Sequence, residues 1–345
     1  MNVNPWRSTS IKIALEGRSF IDTKRIHIHS EQEAQDYLAC YGFDVNDPMD
    51  AEELETLRLE TLKLIEEELL NEGESIPQAL INEQDVRKYL LYASGHGPKG
   101  LAPWSGSILR VLHTLTHSYS YLNDMYHDDI REQIFSRFDH HITPLEKGYR
   151  LGNIKLIDVE YRAAKSRRSV AMKLLHKAEN VAADIFDWIG IRFITEYRAD
   201  VIDILAYLRE KHVVTYANLK PSRSRNTLLN VDWFKQCLTN GMSIEAIKEE
   251  MQQMDYPTTE KSSVHNCFSE VSYHSVQITY RQRIKILQPN GKKLCFFFPF
   301  EIQMMDQNSY LKAKEGLASH TEYKKRQRNA IRARVLPFLP TENNA

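Results

Sequence analysis

A short acidic strand carries the strongest catalytic signal in this 345-residue sequence. From Phe300 to Gln303 apolar and polar residues alternate, which predicts a strand with Glu301 and Gln303 on one face. Such a strand can be buried and still present a reactive carboxylate, so Glu301 is a candidate general base. A carboxylate in an apolar strand is also commonly the partner of an arginine. The surrounding sequence has to separate these two interpretations.

A basic segment upstream predicts a phosphate site. Ser169 is expected to cap a helix that carries Lys173 and Lys177, and positions four apart lie on one helical face. Lys165 and Arg167 stand beside the amides at the expected helix start, where the helix dipole also attracts anions. The segment therefore predicts a polyphosphate site, with a solvated helix face as the alternative.

An acidic loop follows and leads into an apolar strand. Asp187 precedes Gly190, where the chain is expected to turn into that strand. Mg²⁺ takes one or two carboxylates together with phosphate oxygens and water. Asp187 is therefore the predicted metal ligand beside the phosphate site.

Four sequence blocks resemble the synthetase domain of the RelA/SpoT family, the enzymes that transfer pyrophosphate from ATP to the 3′-hydroxyl of a nucleotide. The blocks follow the family order between about Asp158 and Lys325. They fall on Lys165, Ser169 and Lys173; on Asp187, Gly190 and Arg192; on Ser272 and His274; and on Glu301 to Gln303, continuing through Ala313, Gly316, Ala318, His320, Tyr323 and Lys324.

This resemblance implies a fold, cofactors and a residue set. The implied class is α/β (α+β), a nucleotidyltransferase-like mixed β-sheet flanked by helices, with ATP as co-substrate and Mg²⁺ held by Asp187 and Glu301. The implied catalytic residues are Glu301, Asp187, Lys165 and Lys173. The implied ATP-side residues are Arg162, Lys165, Ser169, Lys173 and Lys177, and the implied acceptor-side residues are Arg192, Ser272, His274, Gln303 and His320.

Three departures from the family pattern fall mainly on the acceptor side. Ala163 replaces an arginine, with Arg162 one position early; Glu270 replaces a stacking tyrosine; and Met305 replaces an arginine. A lost stacking platform removes about 1–3 kcal/mol of base binding. A lost arginine removes a bidentate phosphate contact.

Three functions stay open as a result. The chain makes a (p)ppGpp-type alarmone from GTP or GDP, with Phe268, Tyr273 or Trp233 as a substitute stacking surface. Alternatively it uses another 3′-hydroxyl, such as an adenosine nucleotide or the 3′ end of a tRNA, as toxin-like members do. The third alternative is a catalytically inactive nucleotide- or RNA-binding regulator.

Bulk properties are permissive. A net charge of −1 gives no global attraction to nucleic acid. The four cysteines have no paired spacing, which indicates neither a disulfide framework nor a zinc site. The sequence shows no signal peptide and no long apolar run, so we expect a cytoplasmic protein without membrane contact. A homo-oligomer or a regulatory partner protein stays open.

The chain organisation predicts a mainly helical region over 1–106 and a synthetase domain over 107–345, with its core motifs between 158 and 325. The spacing of apolar residues from Ala51 to Leu70 predicts an acidic amphipathic helix. The Gly/Pro-rich stretch Ala93 to Gly106 predicts a loop, with helices resuming at Ser107. The synthetase domain contains a helical insertion over 226–261 and ends in a basic helix, either an RNA contact or a solvated helix.

Histidines cluster between Ile108 and Ile142. Their spacing suggests a metal-dependent hydrolase, an interpretation that we reject because that domain needs its own helical scaffold and further ligands. His113 and His117 are instead expected to be surface or partner-facing. Strands are expected near Ile154–Tyr161, Gly190–Glu196, Val213–Asn218, Tyr273–Tyr280 and Leu294–Met304.

Overall fold

The computed structural model describes residues 19–22, 26–162, 165–176, 185–257, 274–314 and 320–336. Two predicted site residues, Lys177 and Ser272, lie outside this part of the chain. The same holds for Ala163, Phe268, Glu270 and Tyr273, which figured in the departures from the family pattern.

The described elements are mostly helices, with one sheet. The helices are α1 (Glu31–Ala39), α2 (Pro48–Leu64), α3 (Gln78–Ile81), α4 (Val86–Ala93), α5 (Leu101–Thr116), α6 (Tyr121–Asp139), α7 (Arg167–Leu175), α8 (Asp200–Glu210), α9 (Val231–Thr239), α10 (Ile244–Gln253), α11 (Gln307–Lys314) and α12 (His320–Val335). The strands are β1 (Ile142–Pro144), β2 (Tyr149–Leu151), β3 (Ile154–Arg162), β4 (Gly190–Thr195), β5 (Arg225–Asn226), β6 (Val276–Leu287) and β7 (Lys293–Asp306). None of the described helices combines the length and apolar character needed to cross a membrane.

The chain divides into two compact units. The first comprises residues up to 119, 166–184 and those from 325 onward, and the second comprises 120–165 and 185–324. All seven strands belong to the second unit, while the described elements of the first are helical. The functional division at residue 106 stays a prediction.

The first unit is built around the predicted acidic amphipathic helix. That helix is α2, which continues into a π-helical turn at Ile65–Leu69. Its buried side chains Leu54, Leu57 and Leu62 join one apolar core that also takes in α4, α5, α7 and the end of α12. The prediction from apolar spacing is confirmed.

Two expectations for the first unit are wrong. Helix α5 begins at Leu101 rather than Ser107, because Pro103 lies in its first turn, where a backbone N–H has no partner to lose. His113 is not at the surface, since it is half-buried and its Nδ1 lies 2.9 Å from the Tyr41 hydroxyl. Burial lowers the pKa of His113 to about 4, with His117 adding to the shift.

The basic helix α12 uses its arginines inside the first unit. Arg328 donates to the carbonyl oxygens of Glu68 and Leu70, at the end of the π-helical turn. Arg332 forms a bidentate pair with Glu74, and Arg334 forms one with Asp22. These arginines offset acidic groups and carbonyl oxygens of the same unit, so the helix is not simply solvated, and its contact with RNA stays a prediction.

The second unit is a mixed sheet in the order β1-β2-β3-β4-β7-β6-β5. Only the β4–β7 pair is parallel, and the other pairs are antiparallel. Helix α6 packs on one face, where Phe138 contacts Phe193 and Phe300. Helix α11 packs on the other through Tyr310, beside Ile194 and Met305. The predicted α/β (α+β) class is confirmed.

One predicted strand, Val213–Asn218, is absent from the sheet. Val213 and Val214 are buried, but His212 has a φ of 55° and residues 216–218 form a 3-10 turn. Arg137 donates hydrogen bonds to the carbonyl oxygens of His212 and Val213, so a side chain supplies the bonds that a neighbouring strand would make. The strand prediction failed because the apolar Val213 and Val214 are buried without pairing in the sheet.

Candidate active site

A glycine lets an arginine and a glutamate meet across the central strands. Arg162, Gly190 and Glu301 are direct neighbours on β3, β4 and β7. Arg162 Nη1 lies 4.0 Å from Glu301 Oε2. A Cβ at position 190 would lie 3.3 Å from the Glu301 carbonyl oxygen and 4.0 Å from the Arg162 Cβ. The missing side chain keeps the space between the two charged groups open.

A second carboxylate reaches the same arginine. Asp187 Oδ2 lies 3.8 Å from Arg162 Nη1 and accepts a 2.7 Å hydrogen bond from Lys165 Nζ. The side chains of Asp187 and Glu301 keep 16% and 20% of their surface exposed. Four predicted residues, Arg162, Lys165, Asp187 and Glu301, therefore come together as two carboxylates and two cations that solvent can reach.

The adjacent row of the sheet is a polar network in which Gln303 is buried and Glu160 and Arg192 are partly exposed. Glu160, Arg192 and Gln303 are neighbours on β3, β4 and β7. Arg192 Nε donates to Gln303 Oε1 at 2.7 Å, and Arg192 Nη1 donates to Glu160 Oε2 at 2.5 Å. The Tyr310 hydroxyl donates to the other Glu160 oxygen. Arg192 and Gln303, both predicted on the acceptor side, thus bind each other and border the first row.

Three further cations near this face were missed from the sequence. The Lys220 amide donates to the carbonyl oxygen of Thr279, the β6 neighbour of Glu301. Lys220 Nζ lies 3.7 Å from the ring centre of Phe186, which precedes Asp187, and Arg223 approaches the same ring. Arg225 is paired with Gln277, which is itself paired with Gln303. The signal in the sequence was a short basic stretch around Pro221 that lacked a predicted element.

His274 lies just before β6, beside the C-terminal end of β7 and away from Glu301. Its ring stacks on Tyr256 at 4.3 Å, and its Nδ1 lies 2.8 Å from the Thr227 carbonyl oxygen, an acceptor that requires the Nδ1–H tautomer. Tyr256 donates to Asp306, the last residue of β7, about 16 Å from Glu301 by strand rise. Burial lowers the pKa of His274. The structure therefore separates His274 from the proposed base.

The predicted phosphate helix belongs to the first unit. Helix α7 is capped by Ser166, whose Oγ accepts from the Ser169 amide, so the prediction that Ser169 is the cap is wrong. The segment offers Ser-x-x-Ser, and the extended backbone of Ser166 decides between the two serines. Ser169 and Lys173 both lie on this helix. Their contact with ATP stays a prediction. His320 begins α12, and its role on the acceptor side also stays a prediction.

The donor set fits a magnesium ion that shares its ligands with a substrate. Across the described ranges, no cluster of three or more His, Cys, Asp or Glu side chains is arranged to hold a metal on its own. Asp187 and Glu301 supply two carboxylates within 4.0 Å of one guanidinium nitrogen. Mg²⁺ completes its shell with phosphate oxygens and water, so two carboxylates suffice.

Trp233, a candidate stacking residue, is committed elsewhere. It lies half-buried on α9 and packs against an apolar cluster that contains Cys237, Ile247 and Met251. Tyr256 is the described aromatic side chain beside His274, with Arg198 and Lys312 close to its ring. The sequence did not single out Tyr256, and the stacking roles of Phe268, Tyr273 and Trp233 stay predictions.

Comparisons with known proteins give remote similarities. No family model matches the chain, and no curated protein matches it. Among solved structures, the chain is similar to a GTP pyrophosphokinase family protein from Streptococcus pneumoniae, with 14% identity, a TM-score of 0.28, and coverage of 62% of this chain and 86% of that one. It is also similar to small alarmone synthetase 1 from Bacillus subtilis, with 11% identity, a TM-score of 0.31, and coverage of 62% and 88%. Both proteins are named as members of the family that the four sequence blocks resemble, while the TM-scores are too low to carry a functional argument.

Proposed function

We propose that this chain is an ATP-dependent pyrophosphotransferase that acts on a nucleotide 3′-hydroxyl and makes a (p)ppGpp-type alarmone. The observation that carries the proposal is the meeting of Arg162, Lys165, Asp187 and Glu301 around Gly190. These residues come from three separate sequence blocks whose order resembles that of the synthetase family. An ion pair that serves only stability does not require solvent-reachable carboxylates beside an open glycine position.

The reaction needs little covalent chemistry from the protein. The acceptor 3′-oxygen attacks the β-phosphorus of ATP, the bond between the α–β bridging oxygen and the β-phosphorus breaks, and AMP leaves with that electron pair. Glu301 takes the hydroxyl proton on a carboxylate oxygen. Arg162 and Lys165 exchange carboxylate contacts for phosphate oxygens and so offset the negative charge of the transferred group. Positioning and charge neutralisation then supply most of the rate enhancement.

Asp187 and Glu301 are the residues that would hold Mg²⁺. When bound, the ion supplies further neutralisation of the phosphate charge. Lys165 already contacts Asp187 and therefore stands next to any phosphate oxygen that reaches this carboxylate. The adenine contact of Arg162 and the ATP contacts of Ser169, Lys173 and Lys177 remain predictions.

Cations on the second unit support a phosphorylated acceptor. Met305 is buried against Ile194 and Tyr310, so the arginine of the family pattern has no counterpart there. Lys220 and Arg223 lie beside Phe186, and the Lys220 backbone is bonded to Thr279. We assign the 5′-phosphates of a nucleotide acceptor to these two side chains.

The test is transfer of label from ATP that carries ³²P at the β-position, in the presence of Mg²⁺. The acceptors are GTP, GDP, ATP and total tRNA in separate reactions, and AMP release is measured in parallel. The proposal predicts AMP release and label on GTP or GDP. Label only on ATP or tRNA would replace the alarmone assignment, and no AMP above background with any acceptor would contradict the enzyme assignment.

A matched pair of variants assigns the activity to the site. Glu301→Gln keeps the shape of the side chain and removes its basicity, so it should lose turnover. Glu196→Gln changes an exposed carboxylate just after β4, whose nearest cation is Lys155 at 3.9 Å. This second variant should keep the activity of the unsubstituted chain.

A further inference from the structure

Among the residues that the structure describes, none covers one face of the outer half of the β6–β7 hairpin. Among the described strands, residues 281–287 and 293–299 pair only with each other. Their inner face is closed: Ile284, Ile286 and Phe298 are buried, and Gln133 of α6 bonds both backbone polar groups of Lys285. Because side chains alternate along a strand, the intervening residues point to the opposite face.

The charged residues on the outer face of 281–287 and 293–299 are all basic. They are Arg281, Arg283 and Lys285 on β6 and Lys293 on β7, while the other outward positions are apolar or Cys295, and Glu301 follows on the same face of β7 beyond Pro299. Within the part of the chain that the structure describes, none of these four side chains takes part in an ion pair or a hydrogen bond. A row of unpaired cations on one sheet face attracts a polyanion.

An exposed aromatic ring lies in the middle of this basic face. Phe297 keeps 57% of its surface exposed and is the direct cross-strand neighbour of Arg283. Arg281 and Lys285 flank Arg283 on the same face of β6. Aromatic rings between cations on a sheet bind single-stranded nucleic acid, because unpaired bases stack on the ring while the cations contact the phosphates.

We propose that the outer face of this hairpin binds single-stranded RNA, the single-stranded nucleic acid that a cell holds in quantity. From Arg281 to Leu287 the strip runs about 20 Å, enough for a few nucleotides in an extended conformation. Phe297 stacks on one base, and Arg281, Arg283, Lys285 and Lys293 contact the backbone phosphates. The inference stands on the hairpin alone and does not depend on the proposed reaction.

Charge and shape disfavour two other occupants. A second copy of this face would bring four cations against four cations, which costs free energy at moderate salt. A membrane would require several apolar residues at the hairpin tip, but the exposed Leu287 is followed there by the polar turn Gln288-Pro289-Asn290-Gly291-Lys292 and faces Lys293. The aromatic ring instead lies along the strip, where a base can reach it.

The test is binding of a fluorescent RNA oligonucleotide of about ten nucleotides to the full chain, measured by anisotropy without ATP. Phe297→Ala should weaken binding about tenfold, while Phe297→Trp should keep it. The neutral triple variant Arg281→Met, Arg283→Met, Lys285→Met should lower the slope of log K against log salt by about 2. Lys63→Met, Lys99→Met, Lys211→Met removes three exposed lysines elsewhere and should leave both affinity and slope nearly unchanged.

Several results would overturn the proposal. Equal RNA affinity of the two triple variants would show that the hairpin does not bind RNA. A duplex RNA of the same length that binds as tightly as the single strand would remove the stacking role of Phe297. Binding to anionic vesicles or a Phe297-dependent dimer, without RNA binding, would assign the face to a membrane or to a second copy. Because all substituted side chains are exposed, thermal melting of each variant should match that of the unsubstituted chain.

Discussion

The contribution of the network of Glu160, Arg192 and Gln303 to the free energy of unfolding can be tested quantitatively. Replacing Arg192 by Met removes the guanidinium that binds both Glu160 and Gln303. Gln303 is only 4% exposed, and a buried acceptor that loses its donor costs about 1–3 kcal/mol. The Glu160 side chain is 35% exposed, so solvent screens its ion pair and the loss there is about 1 kcal/mol.

Arg192→Met should therefore lower the free energy of unfolding by about 2–4 kcal/mol. At about 2–4 °C per kcal/mol, the melting temperature of the second unit should fall by roughly 4–16 °C. Scanning calorimetry, with the transitions of the two units resolved, measures this shift directly.

The double variant Arg192→Met, Gln303→Leu provides the internal control. Replacing both partners by apolar groups leaves no orphaned amide at that position, so the double variant should be more stable than the sum of the single losses by about 1–2 kcal/mol. Additivity within about 0.5 kcal/mol would refute the reasoning that these side chains depend on each other.

Three further outcomes are expected. Gly190→Ala should slow AMP release and destabilise the fold by about 1–3 kcal/mol, because its Cβ would lie 3.3 Å from the carbonyl oxygen of Glu301. As a control, Gly106→Ala lies inside α5 with nothing within 4 Å of the new Cβ and should stabilise the fold by about 0.5–1 kcal/mol in thermal melts. Burial and His117 lower the pKa of His113 to about 4, so the folded state keeps this side chain neutral and is most stable above pH 6.5; this contribution is lost as the pH falls toward 4. The free energy of unfolding, measured in melts, should therefore drop between pH 7 and pH 5 by about 2 kcal/mol more in the unsubstituted chain than in His113→Gln. Arg328→Met should cost about 1–2 kcal/mol in the same melts, because the Glu68 and Leu70 carbonyl oxygens lose a charged donor, and it should leave RNA affinity unchanged.

Each of these would be contradicted by a specific result. A Gly190→Ala protein with full activity would show that the strands tolerate a methyl group there. An equal pH effect in His113→Gln would assign the acid sensitivity to other groups. A loss of RNA binding in Arg328→Met would show that α12 contacts RNA.

Short-range pattern was sufficient for the central strands. Alternation predicted β7 and placed Glu301 and Gln303 on one face, and Gly190 was correctly predicted to open β4. The sheet class also followed, because these strands alternate with helices. What the pattern could not supply was the pairing of Arg162, Gly190 and Glu301 in one row, since register depends on residues far apart in the chain.

Long-range partners explain most of the differences. The arginines of α12 resemble an RNA contact in the sequence, but Glu74, Asp22 and free carbonyls more than 200 residues away engage them. Lys220 and Arg223 were overlooked because they lie in a Pro-containing loop without periodicity. The β6 extension to Leu287 was missed because its exposed arginines and lysine mask the buried Ile284 and Ile286.

The role of Glu301 as the general base is tested most directly by measuring ATP binding and turnover separately in Glu301→Gln. ATP affinity in the presence of Mg²⁺ is measured by calorimetry, and AMP release is followed with saturating ATP and GTP. The account predicts that AMP release falls by about 10²–10⁴-fold while ATP affinity changes by less than about threefold. Retained turnover in Glu301→Gln, with Glu196→Gln as the control, would contradict the assignment of Glu301 as the base.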